Sequence, residues 1–205
     1  MRVLIATSNK GKLHDFAGAV AGHGIAVEGL ADFSSLPEVV EDGATFADNA
    51  RKKAEHYSRF APGELVLADD SGLSVDALGS APGVHSARYA AADEAIGNCS
   101  DAANNSKLLS ELEPLGEAQR TARFICVISA ARDGREVANF RGEVEGLILR
   151  EARGSMGFGY DPLFYFPAFA KSFAELTPEE KARVSHRGEA LRKFLEWAQQ
   201  PGSIE

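Results

Sequence analysis

The sequence predicts an α/β protein built on a mixed β-sheet, and three patterns carry the prediction. Residues 3–6 form a short β-favouring run that stops at a polar, Gly-containing turn. Leu13, Phe16, Ala17 and Val20 then recur at helical spacing, so the order is strand, loop, helix. Residues 65–68 are continuously apolar, as in a strand buried on both faces, and run straight into Asp69, Asp70, Ser71 and Gly72. Residues 121–130 and 136–149 are β-rich and separated by a turn containing Asp133-Gly134, a short-range hairpin signal that adds antiparallel pairs.

The remaining elements follow in order. Residues 27–36 are ambiguous. Thr45 and Asp48 form a capping box ahead of a helix whose apolar face is Phe46, Ala50, Ala54 and Tyr57, ending near Ala61-Pro62-Gly63. The carboxylates at 69 and 70 are expected at the end of their strand. A Gly/Pro/Ser-rich loop covers residues 79–89, and residues 93–112 read as a helix packed through Leu108, Leu109 and Leu112. Residues 154–162 form a glycine-punctuated loop. Thr177-Pro178-Glu179-Glu180 combines a capping box with Pro at the first helical position, and Leu191, Phe194, Leu195 and Ala198 mark a last helix that stops before Pro201-Gly202. With no repeat, low-complexity tract or linker, residues 1–205 are expected to form a single domain.

Composition narrows the function. A formal net charge of −8 and a pI near 5.2 leave no field that would hold a polynucleotide or an anionic membrane, so an anionic ligand must be small and gripped locally. Cys99 and Cys126 are too few for a disulfide framework and have no metal-ligand spacing, so reduced, structural thiols are expected. The apolar start of the chain goes straight into Ser8, Asn9 and Lys10 without a signal-peptide pattern, and no stretch has the length of a membrane span. A cytoplasmic location is the expectation.

Four groups of residues have the right chemistry for a nucleotide. Thr7, Ser8, Asn9, Lys10, Gly11 and Lys12 lie between a strand and a helix N-terminus, where backbone N–H groups, hydroxyl and amide groups and two ammonium groups suit phosphate; the spacing is not that of a Walker A loop. Asp69 and Asp70 point to opposite faces of their strand, so at most one reaches a given site, and Mg²⁺ often takes only one or two carboxylates from protein. Glu41, Asp42 and Asp76 are further oxygen donors, and Asn49 shares a helix face with Lys53, a candidate phosphate contact. Phe158, Gly159, Tyr160 and Asp161 form an aromatic loop able to present a ring face to a purine. Lys181, His186 and Arg187 supply donors for a ring carbonyl. No G-x-S-x-G elbow supports serine hydrolysis.

Taken together these segments resemble the inosine triphosphate pyrophosphatase family, the bacterial dITP/XTP pyrophosphatases. The matching blocks are Ile5 to Lys12, Glu41 to Phe46 with Asn49-Ala50 and Lys53-Ala54, Leu67 to Leu73 with Val75 to Leu78, Pro82-Gly83-Val84 with Ser86 to Tyr89, and Gly157 to Pro162 with Ser185 to Gly188. The resemblance implies an elongated two-lobed α/β fold around a long mixed sheet, a central nucleotide cleft, a homodimer and Mg²⁺ dependence. It implies Asp70 as general base and metal contact, Thr7 to Lys12 as phosphate ligands with Lys53 assisting, and Ser71 against the nucleotide. Phe158 to Asp161, Lys181, His186 and Arg187 would surround the base and ribose. Three positions depart from the family pattern: Asp15 and Asp48 stand where Glu is common, and Ser80 follows Gly79 where a second Gly is usual.

The expected reaction is hydrolysis of ITP, dITP or XTP to the monophosphate and pyrophosphate. Adenine would present an amino group to the pocket's donors; guanine shares the 6-oxo group, so these donors do not distinguish it. The alternatives are a nucleotide-binding regulatory module, which needs no Asp70, and a pyrophosphohydrolase for other modified nucleotides.

Overall fold

Strand β3, Val66–Val75, is buried at nine of its ten positions and lies third in a seven-stranded sheet of order β2-β1-β3-β4-β5-β6-β7. The other strands are β1 (Arg2–Ile5), β2 (Ala26–Gly29), β4 (Thr121–Arg132), β5 (Arg135–Ile148), β6 (Phe164–Phe166) and β7 (Lys171–Ser172). The helices are α1 (Lys10–Val20), α2 (Phe46–Ser58), α3 (Asp101–Leu112), α4 (Pro178–Val184) and α5 (His186–Ala198). The computed structural model describes residues 2–20, 23–91, 97–115 and 120–203, apart from the side chains of Lys10 and Ala19. β1 is parallel to β2 and to β3, with Val3 opposite Val27 and Leu4 opposite Val66, whereas β6 is antiparallel to β5 and β7. The sheet is mixed, as the sequence predicts.

Local signals account for most boundaries. Asp133 and Gly134 both have positive φ, 50° and 81°, the pattern of a type I′ turn, whose twist matches the flanking β4 and β5. Thr45 Oγ1 accepts the Asp48 N–H at 3.1 Å at the start of α2. At α4 the box is reciprocal: Glu180 N–H donates to Thr177 Oγ1 and Thr177 N–H to Glu180 Oε2. Ser185 caps α5 by accepting the Gly188 N–H at 3.1 Å.

Two expectations need correction. β3 does not stop at Asp69 but continues to Val75, because both carboxylates are paired with cations and so can stay within a buried strand. The helix expected from residue 93 starts at Asp101, where Ser100 accepts the Ala103 N–H at 3.2 Å; residues 97–100 are not helical, and 93–96 lie outside the described residues. The undecided stretch 27–36 holds part of β2 and a single 3₁₀ turn, Phe33–Ser35. β6 and β7, of three and two residues, are too short to show a period in the sequence.

The chain divides into two compact units. The first comprises residues 1–70, 126–143 and 182–205, and the second residues 71–125 and 144–181. In the first, odd-numbered Val3 and Ile5 of β1 and Leu65 and Leu67 join a cluster with Phe16 and Val20 of α1 and Leu191, Phe194 and Leu195 of α5. Even-numbered Leu4, Ala6, Val66 and Ala68 join a different cluster with Ala54 and Tyr57 of α2. Strand alternation thus gives α1 and α5 one face and α2 the other. The second unit is organised around Phe124, Phe164 and Phe173, with ring centroids 4.5 to 5.7 Å apart, and around buried Leu73, Leu108, Leu112 and Leu163. Among the described residues no helix is long and apolar enough to cross a membrane.

Ser80 has φ 75°, in the left-handed region that favours Gly. That conformation costs an L-residue roughly 1–2 kcal/mol, while Gly adds roughly 0.5–1 kcal/mol of unfolded-state entropy. Ser80→Gly is therefore expected to raise stability by about 0.5–1 kcal/mol, read as a higher urea midpoint with an unchanged slope.

Candidate active site

The alternation that sorts the helices also sorts the two aspartates. Asp69 continues the odd face of Leu65 and Leu67, towards α1 and α5, and Asp70 continues the even face of Val66 and Ala68, towards α2. Each carboxylate meets a lysine from the helix on its side.

Asp70 accepts from Lys53 Nζ at 3.2 Å and from Asn49 Nδ2 at 3.2 Å. Asn49 and Lys53 are one helical turn apart on α2, which is why both reach one carboxylate. Lys53 Nζ also bonds Glu41 Oε2 at 2.7 Å, and the Gly43 N–H donates to Asn49 Oδ1 at 2.8 Å, tying the loop before α2 to its first turns. Burial pushes the Asp70 carboxyl above the ordinary aspartate value, Lys53 pulls it down, and Glu41 pushes it further up. Lys53 is itself raised: burial lowers it, and the charges of Asp70 and Glu41 outweigh that.

Asp69 is the centre of an alternating chain of charges. Lys12 Nζ lies 3.0 Å from its Oδ1 and Arg187 Nη2 3.3 Å from its Oδ2, and Arg187 Nη1 donates to Asp15 Oδ2 at 2.9 Å. The Asp69 side chain is 1% exposed. Burial opposes its charge, but Lys12 and Arg187 together hold its carboxyl well below the usual carboxylate range. The Cys126 thiol, 4.0 Å from Asp69 Oδ2, is pushed up to about 12 by burial and by the Asp69 charge, which leaves it a neutral packing group.

The loop from Thr7 to Lys12 starts beside this strand, since the Ala6 N–H bonds Leu67 O at 2.9 Å. Asn9 is the helix cap: its Oδ1 accepts the Lys12 N–H at 3.1 Å, while its own N–H donates to Thr7 Oγ1 at 3.2 Å. Ser8 is exposed, and the N–H groups of Lys10 and Gly11 open α1, an anion-attracting position. Ser71, next to Asp70 on β3, is half-buried.

In the second unit Phe158, Gly159, Tyr160, Asp161 and Lys181 form a separate cluster. Asp161 Oδ2 accepts the Phe158 N–H at 2.9 Å and pairs with Lys181, whose ammonium stands 5.1 Å from the Phe158 ring centroid. Gly157, at φ 78°, makes room for this arrangement, because a Cβ there would overlap the Asp161 carboxylate. Tyr160 donates to Ser86 O at 2.8 Å and Asn105 to Gly159 O at 3.0 Å, fixing the loop.

Of the predicted donors, Lys181 therefore serves Asp161 and the Phe158 ring, Arg187 serves Asp69 and Asp15, and His186 is buried at the first position of α5. Of the other oxygen donors, Asp42 pairs with Lys52, and Asp76 accepts from Thr121 at 2.7 Å and Arg123 at 3.0 Å. The sequence reading missed Asp69 as a charge hub, although the period of two already sets it on the face opposite Asp70.

Among the described residues no group of three or more His, Cys, Asp or Glu side chains is arranged to hold a metal. Two carboxylates, Asp70 and Glu41, share the Lys53 ammonium, and hard oxygen pairs of this kind suit Mg²⁺ when phosphates and water complete its shell. The donor set fits the ion.

Comparison with known proteins identifies the family. Residues 3–197 match the model of the Ham1 family. A dITP/XTP pyrophosphatase of Desulforamulus reducens is 50% identical over 196 residues, 96% of this chain and 94% of the relative. One from Geobacillus kaustophilus is 50% identical over 95% of this chain and 92% of its own length. A Ham1 protein structure from Coxiella burnetii has a TM-score of 0.82 at 39% identity, covering 96% of this chain and 97% of the other. The Ham1 protein of Staphylococcus aureus gives 0.81 at 38% identity, covering 97% and 98%. By sequence over nearly its full length and by fold, the chain belongs to the Ham1 family.

Proposed function

We propose that the protein hydrolyses non-canonical purine nucleoside triphosphates, ITP, dITP and XTP, to the monophosphate and pyrophosphate. The observation that carries the reading is the pair at the centre of β3: adjacent carboxylates on opposite faces each hold a lysine, Lys12 from the first turn of α1 and Lys53 from α2, and each carboxylate feels the charge of both. The names of the relatives supply the substrate class. Thr7 to Lys12 and Lys53 neutralise the polyphosphate. Asp70 accepts the proton of a water whose oxygen bonds to the α-phosphorus while the α–β anhydride bond breaks and pyrophosphate leaves. Asp70 and Glu41 would hold Mg²⁺, whose charge lowers the cost of the leaving pyrophosphate.

Phe158 takes the base on its ring, with Gly159, Tyr160, Asp161 and Lys181 shaping that loop and Ser71 against the nucleotide; Arg187, held by Asp69 and Asp15, and His186, buried beside it, act from behind by keeping Asp69 ionised and in place. The same reading makes the protein a cytoplasmic homodimer, which light scattering tests. A regulatory module is less well supported, because binding alone needs no buried carboxylate with a raised pKa facing a lysine.

The test is incubation with Mg²⁺ and a nucleotide panel, resolving pyrophosphate from orthophosphate. ITP, dITP and XTP are expected to exceed ATP by at least about 10²-fold in kcat/KM, with pyrophosphate as the product. Equal turnover of ATP would end the assigned base selectivity, and orthophosphate release would end the proposed site of cleavage.

A further inference from the structure

Lys12 is assigned to phosphate, yet its ammonium is already taken: it lies 3.0 Å from a carboxylate of 1% exposure. A lysine in such a pair is one end of a dipole and attracts a distant anion weakly. We propose that Lys12 is a transferable cation, held by Asp69 in the nucleotide-free protein and passed to the polyphosphate, with Arg187 remaining as the counter-ion of Asp69. This rests on the proposed function and concerns its phosphate end.

Three features carry the inference. First, the four charges form a chain Lys12, Asp69, Arg187, Asp15, in which Arg187 touches both carboxylates through separate amino groups. Losing Lys12 therefore does not leave Asp69 buried beside no cation, the situation that makes breaking a buried pair expensive. Second, the two cations differ in freedom. Arg187 is 3% exposed and planar, with two carboxylates fixing its plane, whereas Lys12 is 18% exposed on a flexible four-carbon stem. Third, the backbone of Lys12 is pinned by the Asn9 cap in the first turn of α1, so the swing is confined to its side chain and stays next to the N–H groups that attract phosphate.

Asp69 is thus a positioning residue that restrains Lys12. The consequence has an unusual sign: removing the restraint should tighten polyphosphate binding, where loss of an ordinary aligning contact would weaken it.

The test is calorimetric titration of the Mg²⁺-loaded protein with inorganic pyrophosphate. Asp69→Asn is expected to bind it about threefold more tightly or better, and the gain should vanish in Asp69→Asn/Lys12→Met, measured against Lys12→Met alone. For ITP, KM and kcat should fall together as product release slows. Unchanged or weaker pyrophosphate binding by a folded Asp69→Asn overturns the proposal. Should that variant not fold, the wild type still answers: the Asp69 ¹³Cγ resonance is expected to shift on saturation with pyrophosphate as Lys12 departs, and a stationary resonance overturns the exchange. Failure of the wild type itself to bind pyrophosphate would instead remove the proposed function beneath it.

Discussion

Asp70→Asn is expected to lower kcat for ITP by about 10²- to 10⁴-fold, the range that a general base supplies. The substitution is nearly isosteric, and its amide oxygen can still accept from Lys53, so the change isolates the loss of a basic, charged oxygen. Burial and Glu41 raise the Asp70 carboxyl against the pull of Lys53 in the metal-free protein, and bound Mg²⁺ would pull it back down, so acidification should remove activity as Asp70 takes up its proton. The sign follows from the role: the ionised form is active, so activity falls on the acid side of the rate profile. That limb should be absent from the residual activity of the Asn variant.

Stability should move the other way. A carboxyl whose folded-state pKa is raised binds more protons folded than unfolded, so its ionisation weakens the fold as pH climbs from the unfolded value through the folded one. At neutral pH the Asn variant should melt no lower than the wild type, and Lys53 keeps Glu41 at 2.7 Å as its partner. A stable variant with near-normal kcat would remove Asp70 from the chemistry; an unstable one would show that its charge is structural.

How far the site was legible in the sequence depended on range. Thr45 with Asp48 and Thr177 with Glu180 announce their helices because the partners are three residues apart and the hydrogen bonds are local. Asp133-Gly134 announces its hairpin for the same reason. Alternation in β3 fixes the faces of Asp69 and Asp70 without any tertiary information. What alternation cannot name is the partner that each face meets. Arg187 is separated by 172 residues from Asp15 and by 118 from Asp69, and no local pattern reports a pairing across that distance. A strand that carries two adjacent carboxylates through a buried stretch is likewise invisible locally, since only the remote cations make it tolerable. The same limit hid β6 and β7, whose pairing is set by neighbouring strands and not by five residues of their own.

Arg187→Ala is expected to cost about 3–5 kcal/mol of folding stability, the loss typical of removing one member of a buried, hydrogen-bonded ion pair. An exposed pair such as Arg141 with Glu143 should be worth no more than about 1 kcal/mol, so the contrast between the two substitutions measures burial and not charge number. The effect should also depend on pH in a definite direction. In the wild type Lys12 and Arg187 overcome burial and depress the Asp69 carboxyl, so its contribution is present above the ordinary aspartate value and fades only as pH falls through the depressed one. Without Arg187 the Asp69 pKa rises, the carboxylate takes up a proton sooner on acidification, and the penalty of a poorly paired buried charge disappears with it. Urea denaturation at successive pH values should therefore show the gap between wild type and variant widest near neutrality and narrowing in acid. A loss below about 1 kcal/mol at neutral pH, or a gap that widens as pH falls, would mean that the guanidinium does not hold Asp69 in its ionised state, and that the arrangement of charges around β3 is maintained by packing alone.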